Sequence, residues 1–88
     1  MQMEIVSVFD LKAQVFGPPF FVSSVSEAAR SFGDEVNRAA DDNALYKHPA
    51  DFVLYHIGTF SDDTGSLSPR SPVEVVVTGS AVFLGSTE

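Results

Sequence analysis

The strands that this sequence predicts are apolar on both faces, yet it predicts only one amphipathic helix to cover them. In residues 3–9, Ile5 and Phe9 fall on one side of a strand and Val6 and Val8 on the other, as expected for a strand inside a sheet. Four strands about 4.8 Å apart make a sheet roughly 15–19 Å wide, whereas a helix with its side chains is about 10 Å across. One helix therefore covers at most one face, and the second apolar face predicts a homodimer or a dedicated binding surface.

The predicted helix spans residues 25–40. Ser24 followed by Glu27 matches a capping box, in which the hydroxyl accepts a bond from a free backbone amide and the carboxylate bonds back. Apolar residues at three- and four-residue spacing then form one stripe, made of Val25, Ala28, Ala29, Phe32, Val36, Ala39 and Ala40. Asp41 and Asp42 follow at the negative end of the helix dipole, which predicts a frayed last turn.

Strands are predicted on both sides of this helix. Gly17-Pro18-Pro19 forces a bend before a short strand at residues 20–22, and residues 61–65 form a polar hairpin turn between later strands. In residues 52–60, strict alternation places two sets of side chains on opposite faces: Phe52, Leu54, His56 and Phe60 on one, and Val53, Tyr55, Ile57 and Thr59 on the other. Residues 73–78 form a β-branched strand that extends towards residue 84.

These elements predict one α+β domain over residues 1–88, with residues 79–88 as a partly frayed tail. The sheet has four strands, is mainly antiparallel, and carries one amphipathic helix in the order β-β-α-β-β. The candidate dimer or partner face contains Tyr55, Ile57 and Val76.

Charge and composition narrow the possible partners and compartments. Five Lys and Arg residues oppose twelve Asp and Glu residues, for a net charge of −7, which repels nucleic acid and acidic membranes at long range. Cysteine is absent, so disulfides and thiolate chemistry are excluded. No segment has the length and apolarity of a membrane span or a signal peptide, so we expect the chain to stay where it is made and to have no membrane partner.

No set of residues predicts catalysis, a metal site or a cofactor. Asp63-Thr64-Gly65 has the letters of an aspartic protease motif but lies in a polar turn rather than after an apolar strand. His48 and His56 are too isolated to indicate a ligand set, and His56 is expected to be a partly buried, hydrogen-bonded histidine. We therefore expect a protein that is not an enzyme.

Aromatic residues near cations indicate one binding chemistry, since bases stack on rings while cations meet phosphates. The pairs are Lys12 with Phe16, Phe20 and Phe21, and Lys47 and His48 with Tyr46, Phe52 and Tyr55. Core packing is the alternative for most of these rings, and the acidic balance opposes polyanion binding.

Three blocks in order resemble a known family: VFDLKA at 8–13 leading to PFF at 19–21; AARSFGDEVN at 28–37; and KHPADFVLY at 47–55 followed by IGTF at 57–60 and DTG at 63–65. Together, over roughly residues 3–72, they resemble the small nonstructural proteins of gokushoviruses, single-stranded DNA phages of the Microviridae. The order and spacing of the blocks are more specific than any one of them.

The resemblance implies a non-enzymatic accessory protein of the host bacterial cytoplasm, described as DNA-binding and associated with replication or packaging of the single-stranded genome. No family binding residues transfer to this chain, so the nucleic-acid candidates are Lys12, Phe16, Arg30, Lys47 and His48. The alternative function is an acidic homodimeric module that docks a viral or host protein without contacting DNA. A capsid-assembly or scaffolding component is a third possibility.

Overall fold

One antiparallel sheet organises the computed structural model, which describes residues 1–85. Its strands are β1 (Gln2–Asp10), β2 (Val15–Phe16), β3 (Phe20–Val22), β4 (Phe52–Ser61) and β5 (Ser66–Thr78). The helices are α1 (Val25–Val36), α2 (Ala44–Lys47) and α3 (Gly79–Val82), with a 3₁₀ turn at Pro49–Asp51. The predicted α+β class, with a mainly antiparallel sheet and one amphipathic helix, is confirmed.

The strand order is β2-β1-β4-β5, and β3 also pairs with β1. β2 pairs with residues 9–10 of β1 and β3 with residues 4–6, both on the side away from β4. The two short strands thus form one interrupted edge. The interruption is the Gly17-Pro18-Pro19 bend predicted from the sequence, since proline has no amide to donate to a ladder.

α1 packs on one face of the sheet and forms the core with it. Ala28, Phe32 and Val36, spaced four residues apart, are buried against Val6 and Leu54. Each large apolar side chain buried in this way contributes about 1.5–3 kcal/mol. Ser24 caps the helix by accepting a bond from the Glu27 amide at 3.1 Å, while the Glu27 carboxylate accepts from the Ser23 hydroxyl instead of the predicted Ser24 backbone.

The helix ends at Val36, four residues before the predicted end, because two asparagines satisfy its last carbonyls. The Asn37 side-chain amide donates to Gly33 O at 2.8 Å and to Val82 O at 2.9 Å. The buried Asn43 amide donates to Glu35 O at 2.8 Å and Arg38 O at 2.9 Å. Side-chain donors of this kind replace continued helix hydrogen bonds.

The segment after β5 differs from its prediction. Residues 79–82 form the helical turn α3 rather than an extension of the strand, and Val82 and Phe83 pack against the core. Thr78 caps this turn by accepting a bond from the Ala81 amide at 3.2 Å, and Gly79 has no room for a Cβ beside the Pro49 carbonyl. The predicted frayed tail at residues 79–88 extends beyond the described residues.

Three irregularities break the alternation of faces. One is residues 70–73 of β5, which have no ladder partner because His56 pairs with Glu74 and Gly58 with Pro69; the other two are single-residue bulges. Ile5 pairs with Gly58 and Val6 with His56, so Ile57 is an extra residue on β4. Leu54 pairs with Val77 and Tyr55 with Val75, so Val76 is an extra residue on β5. A bulge shifts all following side chains to the opposite face. Phe60 therefore lies on the face of Val53 and Tyr55, and its predicted grouping with Phe52, Leu54 and His56 is wrong.

Candidate functional site: the uncharged face of the sheet

The sheet face opposite α1 carries no charged residue at any described position that strand pairing assigns to it. Cross-strand partners point to the same face, and the pairing registers define this uncharged face. Its members are Met3, Ile5, Ser7 and Phe9 of β1, Phe16 of β2, Phe21 of β3, Val53, Tyr55, Ile57 and Phe60 of β4, and Leu67, Pro69 and Val75 of β5. No helix within residues 1–85 covers it, so much of this apolar surface is open to solvent. Such a patch on a small acidic protein is typical of an interaction surface.

One end of the uncharged face holds a cluster of three rings, which we call the ring cluster. The centroid of Phe16 lies 4.6 Å from that of Phe9 and 5.3 Å from that of Tyr55, and Phe9 and Tyr55 are 6.0 Å apart. These are the tilted and edge-to-face arrangements that aromatic quadrupoles favour. Phe16 forms the outer surface of the cluster, since 44% of it is exposed.

The other end of the face holds an apolar cleft of about 250 Å³. It is lined by Ile5, Pro19, Phe21, Ile57, Leu67 and Pro69, with Gly58 and Ser68 at its edge. The ring of Phe21 packs edge-on against that of Phe60 at 5.5 Å. The cleft is smaller than the roughly 300–1,000 Å³ of small-molecule sites, and its apolar lining suits an apolar side chain.

Ser7 separates the ring cluster from the cleft. It is fully buried, and its hydroxyl donates to Gly17 O at 2.8 Å, while Gly17 N donates to Val8 O at 2.8 Å. These bonds fix the Gly17-Pro18-Pro19 bend against β1, where a buried hydroxyl without a partner would be costly.

Four of the five nucleic-acid candidates lie at the end of the sheet that carries the ring cluster. Lys12 lies in the turn between β1 and β2, and the neighbouring Leu11 N donates to Asp51 O at 2.8 Å, which ties this turn to the segment carrying Lys47 and His48. The side chains of Lys12, Lys47 and His48 are exposed, and we call these three residues the basic end. Phe16, the fourth candidate, belongs to the ring cluster.

Arg30, the fifth candidate, is not brought to this site. It is exposed on α1, on the other side of the sheet from Phe16. Within residues 1–85, Lys12, Arg30 and Lys47 form no ion pair, whereas Arg38 binds Glu35 at 2.7 Å and Arg70 binds Glu74 at 3.0 Å. The hydrogen bond from Arg38 lowers the pKa of Glu35 below its usual value. Lys12, in the turn that leads to Phe16, is therefore the candidate cation nearest along the chain to the ring cluster, whereas Lys47 ends α2, which packs on the helix-covered side of the sheet.

Of the three candidate partner residues, the structure places Tyr55 and Ile57 on the uncharged face but not Val76. Val76 packs against the helix-side core, because the bulge turns it away from its expected face. Sequence alternation also missed the cleft, since Leu67 and Pro69 reach it only through the register of β4 and β5. Gly58 is the sequence feature that could have indicated this irregular pairing, because a glycine inside a strand pattern often marks a bulge or a close backbone approach.

The remaining polar motifs have structural roles. His56 Nε2 lies 2.8 Å from Glu4 Oε1 with both side chains largely buried, which confirms the predicted hydrogen-bonded histidine. Asp63-Thr64-Gly65 forms the β4–β5 turn, with Gly65 at φ 73°. Among residues 1–85, no group of three or more His, Cys, Asp or Glu side chains is placed to hold a metal. No described helix has the length and apolarity needed to span a membrane.

Comparison with known proteins identifies a family. No curated protein and no solved structure matches the chain. The family model described as "Phage ORF5 protein" matches residues 3–82, which includes α1 and all five strands except the first residue of β1. The chain therefore belongs to the Phage ORF5 protein family and is a bacteriophage protein.

Proposed function

We propose that this phage protein is a non-enzymatic accessory protein of gokushoviruses, acting without a cofactor in the host bacterial cytoplasm during replication or packaging of the genome. In this proposal it contacts single-stranded DNA directly. The family match supports the phage assignment, and the resemblance of the three sequence blocks supports the finer one. The structural observation that carries the DNA contact is the half-exposed ring cluster beside the basic end.

The ring cluster supplies the stacking surface. A base stacked on a protein ring contributes about 1–3 kcal/mol whatever its sequence, and Phe16 offers an open ring held in place by Phe9 and Tyr55. Stacking of this kind suits single strands, whose bases are unpaired.

The basic end supplies a small number of phosphate contacts. The net charge of −7 opposes a long electrostatic track, so each subunit neutralises about 2–4 phosphates and the salt slope is shallow, about −1.5 to −3. The rings therefore contribute more of the affinity than in a basic DNA-binding protein.

Titration of a fluorescent oligothymidylate at low and moderate salt tests this proposal. We expect Lys12→Glu to weaken binding by at least about tenfold at low salt, because it reverses a phosphate contact. Arg30→Glu is the matched control: it makes the same change in net charge on the other side of the sheet, and we expect a much smaller effect. Equal effects of the two variants, or no binding by wild type at low salt, would reject the direct contact.

A second candidate function uses the same face without DNA. The absence of charge on that face favours a viral or host protein as the partner, because protein interfaces exclude charge from their centres. In this case Lys12→Glu leaves phage production intact, while Tyr55→Glu or Ile57→Glu abolishes it. Phage yield from complemented mutants distinguishes the two functions.

A further inference from the structure

The two ends of the uncharged face have complementary shapes. The ring cluster projects at Phe9 and Phe16, and the cleft opens at Ile5 and Leu67. Phe9 and Ile5 are four residues apart on β1, so the two features are separated by about 13 Å along the strand. Ser7 lies midway between them.

We propose that a second copy of this chain covers the uncharged face, with the ring cluster of each copy seated on the cleft of the other. A twofold axis perpendicular to the strands and passing near Ser7 produces this arrangement. The interface is isologous, so that Phe16 contacts the partner's Phe21 at the edge of the cleft while Phe21 contacts the partner's Phe16.

The area of the face is sufficient for such a dimer. Its long strands β1, β4 and β5 contain 9, 10 and 13 residues. At the usual spacings, these three strands together with the short β2 and β3 present roughly 550 Å² of face per copy. Two copies then bury about 1,100 Å², which is at the lower end for specific protein interfaces. Interfaces of this size are commonly transient, and we expect an affinity in the micromolar range.

The distribution of charge favours this face over the others for self-association. Each copy carries a net charge of −7, and the carboxylates of residues 1–85 lie on the helices, the turns and the helix-covered side of the sheet. Contact through those surfaces brings like charges together, which is unfavourable. The uncharged face is the surface along which two copies approach with the least repulsion.

The shapes also select the reciprocal arrangement. An axis parallel to the strands stacks ring cluster on ring cluster and leaves both clefts facing each other as a void. Voids forfeit dispersion contacts and are destabilising. The perpendicular axis fills each cleft with the partner's Phe16 ring, which matches the apolar lining.

Sedimentation equilibrium of point variants tests the dimer. We expect wild type to dimerise at micromolar concentration, and Leu67→Glu to be a folded monomer, since Leu67 is 63% exposed in the isolated subunit. Leu84→Glu is the matched control, because Leu84 is 83% exposed and lies off the face, and it should dimerise like wild type. Val75→Lys, at a position 51% exposed, provides a second disruptive variant if circular dichroism shows that Leu67→Glu does not fold.

Mixing two variants tests the reciprocal contact. Phe16→Lys alone should also be monomeric. A mixture of Phe16→Lys and Phe21→Glu, a position 46% exposed in the isolated subunit, should form a heterodimer, because Lys of one copy meets Glu of the other at one end and the native pair is kept at the other end. A mixture that stays monomeric overturns the reciprocal arrangement. Wild type that is monomeric at about 100 µM overturns the dimer and leaves the face to DNA or another protein.

Discussion

At the scale of single residues, the buried Asn43 side chain links two helices. It is 4% exposed. Its amide binds two carbonyls at the end of α1, and its side-chain oxygen accepts from Leu45 N at 3.2 Å to start α2. One side chain thus ends one helix and begins the next.

Replacing Asn43 should therefore be strongly destabilising. We expect Asn43→Ala to lower the free energy of unfolding by about 2–4 kcal/mol, because it leaves two carbonyls without their donor and removes a helix cap. Ser24→Ala is the control, since it removes one cap bond at the partly exposed start of α1 and should reduce stability by about 1 kcal/mol. Urea denaturation measures both; equal losses would contradict the role assigned to Asn43.

At the scale of elements, the bulge of β4 determines the shape of the uncharged face. It releases Ile57 from the ladder, moves Phe60 beside Phe21 and brings Gly58 close to β5. A Cβ built on Gly58 lies 2.7 Å from the Ser68 carbonyl oxygen, a contact that real Cβ atoms avoid. The cleft therefore depends on a glycine at this position.

A pair of glycine substitutions tests this dependence. Gly58→Ala should destabilise the fold by about 1–3 kcal/mol, because the strands must separate to admit the methyl group. Gly33→Ala makes the same chemical change within α1, where the added Cβ meets Val82 at an ordinary 3.7 Å, and should stabilise by up to about 1 kcal/mol through helix propensity. Thermal unfolding of both variants gives the sign of each effect, and a stabilising Gly58→Ala would show that the close approach is absent.

Local sequence patterns predicted where helices, strands and turns form more accurately than they predicted which face of the sheet each side chain lies on. The capping residue Ser24, the apolar stripe of α1 and the Asp-Thr-Gly turn are local signals, and each appears in the structure at the predicted place. The early end of α1 depends on Asn37 bonding Val82, 45 residues away, and the positions of Phe60 and Val76 depend on bulges in strand pairing. Neither contact between distant residues nor register is encoded in local periodicity.

The candidate site could likewise be predicted from the sequence only in part. The excess of apolar strand surface over helix cover follows from composition and spacing, and the open face in the structure agrees with it. The separation of Arg30 from Phe16 follows from how α1 lies across the sheet, which the order of elements alone does not specify. The cleft required knowledge of the β4–β5 register.

At the scale of the whole molecule, the uncharged face relates the two proposals to each other. Phe16 is buried by the partner in the proposed dimer and by a base in the proposed DNA complex. A single ring cannot do both at once, so dimerisation and base stacking exclude one another through mass action. The basic end lies beside the face and stays exposed in either state.

The central claim is that another molecule covers the uncharged face, and hydroxyl-radical footprinting tests it most directly. The reactivities of Phe16, Phe21 and Leu67 should fall as the protein concentration rises through the micromolar range, whereas Leu84, which lies off the face, should keep its reactivity. Addition of oligothymidylate at low salt should protect Phe16 even at concentrations too low for dimers. If Phe16 and Leu67 react at the same rate as in the dilute protein under every condition, the face is not an interaction surface and the account is wrong.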